Sequence, residues 1–376
     1  MTKASVLSAP KVMRVLDFQD AEPDDNSIVG RTDVCGICGT DLHLYEGHMR
    51  FPYPVILGHE FTVTVEKIGK KASTLEALGR EVSIGDRLAV VPGTSRFCGT
   101  CFYCRFVPDR PQLCGNRRVL GVNMDCRNPP HLFGAFGERV VVDLLRWYAY
   151  KLEDSFPREL GPLIEPMAVA SRALERALPP GRSSSSDRFG LGKKVVVQGA
   201  GPVGLLVTAA ARLWGAGSVT VIEKVPTRLK MAEEMGADHL IDLNSFETTE
   251  ARVKEVLRLT DGVGADVALE CVGLPAAFEE GTRMVRRGGK YVEVGHYVDS
   301  GAVELRPNVI CKGDIDVSGS WAYPPTQFRT AVELLGTHFD RLPFSRMITH
   351  TFHFADAPRA IETIRSGEAV KVALTA

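Results

Sequence analysis

The sequence lacks an unbroken apolar run, a surplus of either charge, and an apolar leader segment at its N-terminus. Its longest apolar stretch, "VVVQGAGPVGLLVTAAARLWGAG", is interrupted by five glycines, Pro202, Gln198 and Arg212. That excludes a membrane span and reads as strand, turn and helix. Lys and Arg total 45 against 46 Asp and Glu, so no basic face for nucleic acid or anionic membrane is expected. "MTKASVLSAPKVMRVLDFQD" has no apolar core of a signal, so no secretory leader is expected. With nine cysteines, the chain reads as cytoplasmic, where clustered thiols are metal ligands more often than disulfides.

What is present is ordinary globular material, 44% apolar and 24% charged over 376 residues. That length exceeds one core of the usual size and predicts two domains. Residues 1 to about 160 carry short Val/Ile runs broken by Gly and Pro ("FTVTVEKIG", "DRLAVVPG", "GERVVVD"), the punctuation of an irregular β domain. "GPLIEPMAVASRALERAL" (161–178) has helical spacing, and "PPGRSSSSDRFGLGKK" (179–194) reads as a polar connector. Then "KKVVVQG", "SVTVIE", "HLIDL", "DVALECVG" and "KYVEVG" alternate with helix-like segments, which predicts a parallel sheet covered on both faces. The expected organisation is a doubly wound α/β unit at 161–310, inserted into a domain made of 1–160 and 311–376.

"VVVQGAGPVGLL" places Gly199, Gly201 and Gly204 in G-x-G-x-x-G order between a β run and an apolar helix. Gly199 suits a tight turn, Gly201 a close approach of backbone to a pyrophosphate, and Gly204 close helix–strand packing. Pro202 and Val203 open the helix. Glu223 ends the next strand, where a carboxylate accepts ribose hydroxyls and repels a 2′-phosphate. NAD is therefore expected over NADP, although Lys224 and Arg228 stand close enough to hold a phosphate.

Cys98, Cys101, Cys104 and Cys114 have the spacing C-x2-C-x2-C-x9-C. Four thiolates fill a tetrahedral zinc ion and leave no open position, so a metal there would be structural; free or disulfide-linked cysteines are the alternative. A second, mixed set comprises Cys35, Cys38, Thr40, Asp41 and His43 from "DVCGICGTDLH", His59 and Glu60 from "VILGHEF", and Glu165 from "LIEPMAV". One thiolate, one imidazole and one or two carboxylates suit zinc with an exchangeable position. The spacing alone leaves core cysteines and a satisfied histidine equally open.

Taken together, "CGICGTDLH", "GHE", the four-cysteine lobe (about 96–116), "IEPMAVA", "GAGPVG", "VIE" and "ECVG…RRGGKYVEVG" resemble the zinc-dependent medium-chain alcohol and polyol dehydrogenases, in that family's order. The glutamate of "IEPMAVA" resembles the sorbitol, threonine and secondary-alcohol branch. The resemblance implies a Rossmann sheet inserted into a GroES-like catalytic domain, usually assembled as a homodimer or homotetramer. It implies a catalytic zinc on Cys38 and His59, completed by Glu60 or Glu165, and a structural zinc on the lobe. The last lobe spacing is nine where the family has seven, and the glycine that usually follows "GHE" within three residues is missing from "GHEFTVTV".

The activity implied is reversible hydride transfer between NAD and a secondary alcohol or polyol. Thr40 would take the substrate proton and pass it by way of the nicotinamide ribose to His43. The resemblance also places the backbone of Cys271, Val272 and Gly295 beside the nicotinamide. Asp41 is expected as a supporting carboxylate rather than a ligand, and His48, His131, His296 and Cys126 receive no role. "YEGHMRFPYP" (45–54) and "GSWAYPP" (319–325) are candidates for the substrate pocket. The competing readings are a zinc-free reductase of activated double bonds, against which the Cys38/His59/Glu60 set speaks, and a zinc-ribbon binding module, against which the neutral charge and complete glycine motif speak.

Overall fold

The Val/Ile runs of the N-terminal part form short, mainly antiparallel strands. A computed structural model describes residues 1–49, 51–93, 98–178, 190–367 and 369–376. Most of the serine-rich connector, with the first residues of the expected cysteine lobe, lies outside them. Strands β1 (Thr2–Ala9), β2 (Val12–Phe18), β3 (Ser27–Gly36), β4 (Val55–Ile56), β5 (Glu60–Ile68), β6 (Arg87–Val90), β7 (Arg139–Asp143) and β8 (Ala149–Lys151) are interleaved with helices α1 (Gly39–Glu46) and α2 (Phe102–Phe106). Helix α3 (Gly161–Ala177) follows and covers the expected helical stretch.

The alternating half contains β9 (Lys194–Gln198), α4 (Pro202–Leu213), β10 (Ser218–Glu223), α5 (Pro226–Glu234), β11 (His239–Asp242), α6 (Thr249–Leu259), β12 (Ala265–Glu270), α7 (Pro275–Met284), β13 (Val285–Glu293), α8 (Pro307–Gly313) and β14 (Asp316–Gly319). The chain ends with α9 (Pro325–His338), β15 (Ile348–His353), α10 (Ala357–Arg365) and β16 (Lys371–Thr375).

The chain divides into two units: residues 1–168, 323–339 and 348–376, and residues 169–322 with 340–347. The division differs from the expected ends at 160 and 310. The physical reason at the second boundary is β14, which pairs parallel with β13 and so extends the α/β sheet beyond residue 310.

In the first unit a sheet runs β15-β16-β3-β5-β6-β8, with β7 also on β3, beside a three-stranded sheet β2-β1-β4. Its core gathers Val6, Leu7, Ile28, Val63, Phe136 and Leu374. β16 joins β3 by pairing Ala373 with Gly36 and Leu374 with Cys35. On its other side β3 pairs Gly36 with Glu60 of β5.

The second unit is a parallel sheet in the order β11-β10-β9-β12-β13-β14, the doubly wound Rossmann order. The order reverses between β9 and β12, and ligands of such sheets bind at the carboxyl ends of the strands flanking that point. The buried residues Val196, Ile222, Ala268 and Tyr291 belong to its core.

Candidate active site

In the first unit the end of β3 and the start of α1 bring Cys38 to His59 and Glu60. Cys38 caps α1 in an extended conformation, and its backbone N–H donates to Asp41 Oδ2 at 2.8 Å. Asp41 is fully buried, and its Oδ1 stands 3.5 Å from His59 Nδ1. One donor atom each from Cys38, His59 and Glu60 lies within 4.8 Å of the others. Asp41 thus supports the set, as expected, by holding the cap of Cys38 and facing the imidazole.

The electrostatics favour a cation here. Burial pulls the His59 imidazolium down, but the negative charge of Asp41 and Cys38 more than offsets it and raises the group well above its ordinary value. A thiolate, an imidazole and a carboxylate in one buried space are a donor set that zinc accepts, so the residues fit the expected metal.

Glu165 stands outside that close set. Its Oε1 accepts the Tyr323 hydroxyl at 2.8 Å, and burial raises its carboxyl pKa, with Glu60 adding to the effect and His59 opposing it. Glu60 is held differently: the ammonium of Lys371 donates to its Oε2 and to the carbonyl of Ile37 at 3.0 Å. Gly36 accommodates this pair, because a Cβ there would run into the Glu60 carboxylate and come within 2.9 Å of Lys371 Cε.

Thr40 Oγ1 lies 3.7 Å from Cys38 Sγ, beside the same donor set. His43 follows one turn later on α1, and its Nδ1 stands 3.3 Å from His48 Nδ1. Burial and the neighbouring His48 lower its pKa. Thr40 and His43 share a face of α1, and no hydrogen bond joins their side chains among the described residues.

The lobe cysteines converge separately. One Sγ from each of Cys98, Cys101, Cys104 and Cys114 falls within 4.8 Å of the others, with individual separations of 3.4 Å, 3.6 Å and 4.0 Å. Metal–sulfur bonds of about 2.3 Å in a tetrahedron require sulfur–sulfur edges of about 3.8 Å, so the thiols match that geometry. None is in a disulfide. Hydrogen bonds from Thr100 and Asn116 pull Cys98 down to about 5, while desolvation pushes Cys104 up to about 12. The long final spacing is taken up by α2 and a single 3-10 turn at Pro111–Leu113.

In the second unit the glycine turn joins β9 to α4. Gly199 has φ +89°, a left-handed conformation that favours glycine. At Gly201, the cap of α4, an added Cβ would meet nothing within 4 Å, leaving open space at the helix N-terminus where a phosphate fits. At Gly204 a Cβ would collide with the Gly199 carbonyl and lie 3.5 Å from Cys271 Cβ, so helix and strand meet closely there. Pro202 and Val203 form the first turn of α4.

Glu223 is buried against this turn: its Oε2 accepts the Ala200 N–H at 2.9 Å, and its Oε1 accepts Lys224 N–H at 2.7 Å and Val225 N–H at 3.1 Å. Lys224 is exposed, and Arg228 is half-buried on α5. Cys271, Val272 and Gly295 lie at the ends of β12 and β13. Val272 N–H and Gly295 N–H both bond to the Glu270 carboxylate, at 2.6 Å and 3.2 Å.

Lys371, Glu270 and Glu293 were not singled out from the sequence as site residues, and Tyr323 entered only within the candidate pocket stretch "GSWAYPP". Lys371 and Tyr323 act on carboxylates far away in the chain. For Lys371 the signal was a lysine inside the otherwise apolar "VKVALTA", since a charge on a buried strand needs a partner.

Comparison with known proteins bears directly on these arrangements. Residues 24–154 match the alcohol dehydrogenase GroES-like domain, and residues 202–337 match the zinc-binding dehydrogenase domain. A sorbitol dehydrogenase of Halalkalibacterium halodurans is 30% identical over 96% of this chain and 95% of its own length. A crystal structure of an alcohol dehydrogenase from Thermotoga maritima shares 31% identity at a TM-score of 0.89, covering 100% of this chain and 99% of that one. A zinc-binding dehydrogenase of Sinorhizobium meliloti 1021, solved bound to NADP, shares 29% identity at a TM-score of 0.85, covering 100% of this chain and 99% of that one.

Proposed function

For a chain that belongs to the zinc-dependent medium-chain alcohol and polyol dehydrogenase family, we propose an oxidoreductase that interconverts a secondary alcohol or polyol and its ketone, with NAD as hydride acceptor. The observation that carries this reading is the convergence of Cys38, His59 and Glu60 within 4.8 Å, with the Thr40 hydroxyl at its side.

Cys38, His59 and either Glu60 or Glu165 would hold the catalytic zinc, and Cys98, Cys101, Cys104 and Cys114 a second, structural zinc. Zinc in the first position supplies Lewis acidity, which brings the ionisation of an alcohol hydroxyl toward neutral pH. Bound NAD supplies the hydride-accepting carbon of its nicotinamide ring.

The remaining work falls to the chain's own side chains. Asp41 fixes the cap that presents Cys38 and faces His59, so the donors are placed before substrate arrives. Thr40 Oγ1 would accept the hydrogen bond of the alcohol hydroxyl and give up its own proton in turn, and His43, near the exposed end of α1 but not bonded to Thr40, would exchange a proton with solvent. Lys371 offsets the charge of Glu60 and leaves the polarity of the site tunable. Tyr323 orients Glu165.

In the α/β unit, Gly199, Gly201, Pro202, Val203 and Gly204 would receive the pyrophosphate. Glu223, pinned beside the turn by the Ala200 amide, would accept the adenosine ribose hydroxyls and disfavour a 2′-phosphate, which supports NAD over NADP. Lys224 and Arg228 border that position. Cys271, Val272 and Gly295 would face the nicotinamide end.

Metal analysis of the purified protein, combined with a screen of secondary alcohols and polyols followed by absorbance of the reduced nicotinamide, tests the reading. Two zinc ions per chain, one lost in Cys38→Ala together with turnover, is the expected outcome. One zinc per chain, unaffected by Cys38→Ala, with reduction of an activated double bond instead, would replace it with a zinc-free reductase.

A further inference from the structure

Three polar side chains stand side by side at the carboxyl ends of the central strands. The register pairs Glu270 with Gln198 of β9 and with Glu293 of β13. These ends flank the switch point of the sheet, where a cofactor binds. Interior strands of parallel sheets are normally apolar throughout, yet Glu270 is fully buried.

Its carboxylate gathers backbone from two loops. Oε1 accepts the amides of Val272 at 2.6 Å and Gly273 at 2.7 Å, and Oε2 accepts Gly295 N–H at 3.2 Å. A Cβ on Gly273 would come within 2.7 Å of the Gly295 carbonyl, so the loops close tightly around the carboxylate. Three amide hydrogens aimed at one carboxylate make it a poor ligand for a cation, although its oxygens lie within 4.8 Å of donor atoms of Glu293 and His296.

Other titratable groups surround Glu270. His296 Nδ1 lies 2.7 Å from Glu293 Oε1 and 3.6 Å from Glu270 Oε2. The Tyr291 hydroxyl donates to Glu293 Oε2 at 3.4 Å, and Cys271 directly follows Glu270, the last residue of β12. From β9 comes the neutral Gln198, whose Oε1 has no hydrogen-bond partner among the described residues. From α7 comes Gly281, where a Cβ would collide with that oxygen, while Glu280 of α7 turns to Arg252. Burial and Glu293 push Glu270 up to about 8.

We propose that Glu270, flanked by Glu293 and His296, positions the backbone of residues 272, 273 and 295 and, through the charge of its carboxyl, sets the preference of the site for the oxidised cofactor over the reduced one. This rests on the reading that those amides face the nicotinamide. The oxidised ring is cationic and the reduced ring is neutral, so each negative charge added to the group favours the oxidised form. Loss of the Glu270 proton adds one such charge. Glu270 and Glu293 are positioning residues, since they act on the cofactor through backbone and field.

Dissociation constants of NAD and NADH, measured by fluorescence on the zinc-loaded protein across pH, test the proposal. In the unsubstituted protein the ratio of the NADH to the NAD constant should rise about fivefold to tenfold between about pH 6.5 and about pH 9.5. Glu293→Gln removes the like charge, so Glu270 ionises earlier and the ratio should be flat over that range. A merely structural role would weaken both cofactors equally and leave the pH dependence of the ratio intact. The same rise in Glu293→Gln as in the unsubstituted protein overturns the inference while leaving the cofactor reading in place. Failure of the unsubstituted protein to bind either cofactor overturns both.

Discussion

Lys371 and Glu60 form an ion pair in which each side chain is 1% exposed, and the same glutamate is one of the three groups gathered with Cys38 and His59. A metal at that set and the Lys371 ammonium, which holds Oε2, would both draw on the charge of this one carboxylate. Removing one member of a buried pair leaves the other charge uncompensated, at a cost of about 3–5 kcal/mol. Lys371→Met should lower the melting temperature sharply after zinc is chelated and much less with zinc bound, because a dication can take over the role of the ammonium. Thermal melts with and without chelator decide it; an equal drop in both would separate Lys371 from the metal site.

Cys114 completes the lobe from the far side of its longer loop. Cys114→Ser should release one zinc per chain and lower thermal stability or assembly, while turnover per folded molecule stays near that of the unsubstituted protein. Metal content and active-site titration check this. A fall in turnover larger than the fall in folded fraction would show that the lobe takes part in the reaction.

Glu223 bonds to the Ala200 amide, so its removal loosens the glycine turn as well as the ribose contact. Glu223→Ala should weaken NADP somewhat and NAD by about tenfold more, the worth of one charge-assisted hydrogen bond. Paired titrations with the two cofactors measure it, and equal losses would remove Glu223 from the discrimination.

The features that could be read from the sequence are those whose cause is local. Gly199, Gly201 and Gly204 each answer a steric demand within one turn, and the lobe cysteines lie close enough in the chain for spacing alone to suggest one ion. Cys38, His59 and Glu60 are gathered by pairing of β3 with β5, so residue type could only raise them within a wider mixed set, and the resemblance was needed to pick them out. Lys371 reaches Glu60 across 311 positions, because β16 adds to β3 from the other end of the chain. Glu270 and Glu293 become neighbours only once β12 and β13 are set side by side. His296 was given no role, since its two carboxylate partners were separate strand ends in the linear reading. The α/β unit was ended too early for the same reason: "DVSG" is too short to stand out until it pairs with β13.

Thr40 is placed to act on a proton without binding the metal set. Thr40→Ala should leave both zinc ions in place and reduce turnover by about 10²-fold or more, the usual worth of a positioned proton acceptor. Thr40→Ser, which keeps the hydroxyl, should recover most of it. Steady-state kinetics with metal analysis check both; unchanged turnover in the alanine variant would remove Thr40 from the mechanism.

Glu270 also links folding to pH. Its carboxyl titrates at about 8 when folded, against an ordinary value of 4.5, because burial and Glu293 disfavour its charged form. Between those values the folded protein holds a proton that the unfolded chain has released. Its contribution to stability is therefore fully present below about pH 4.5 and is lost as pH rises through about 8. Glu270→Gln has no proton to lose, so unfolding the unsubstituted protein should become easier relative to the variant over that window, by on the order of 5 kcal/mol, and the difference should then level off. Urea unfolding midpoints at pH steps through the window measure the difference directly. A difference that stays constant from acid to alkaline pH would mean that Glu270 is ionised throughout, with its charge carried by the three amides alone.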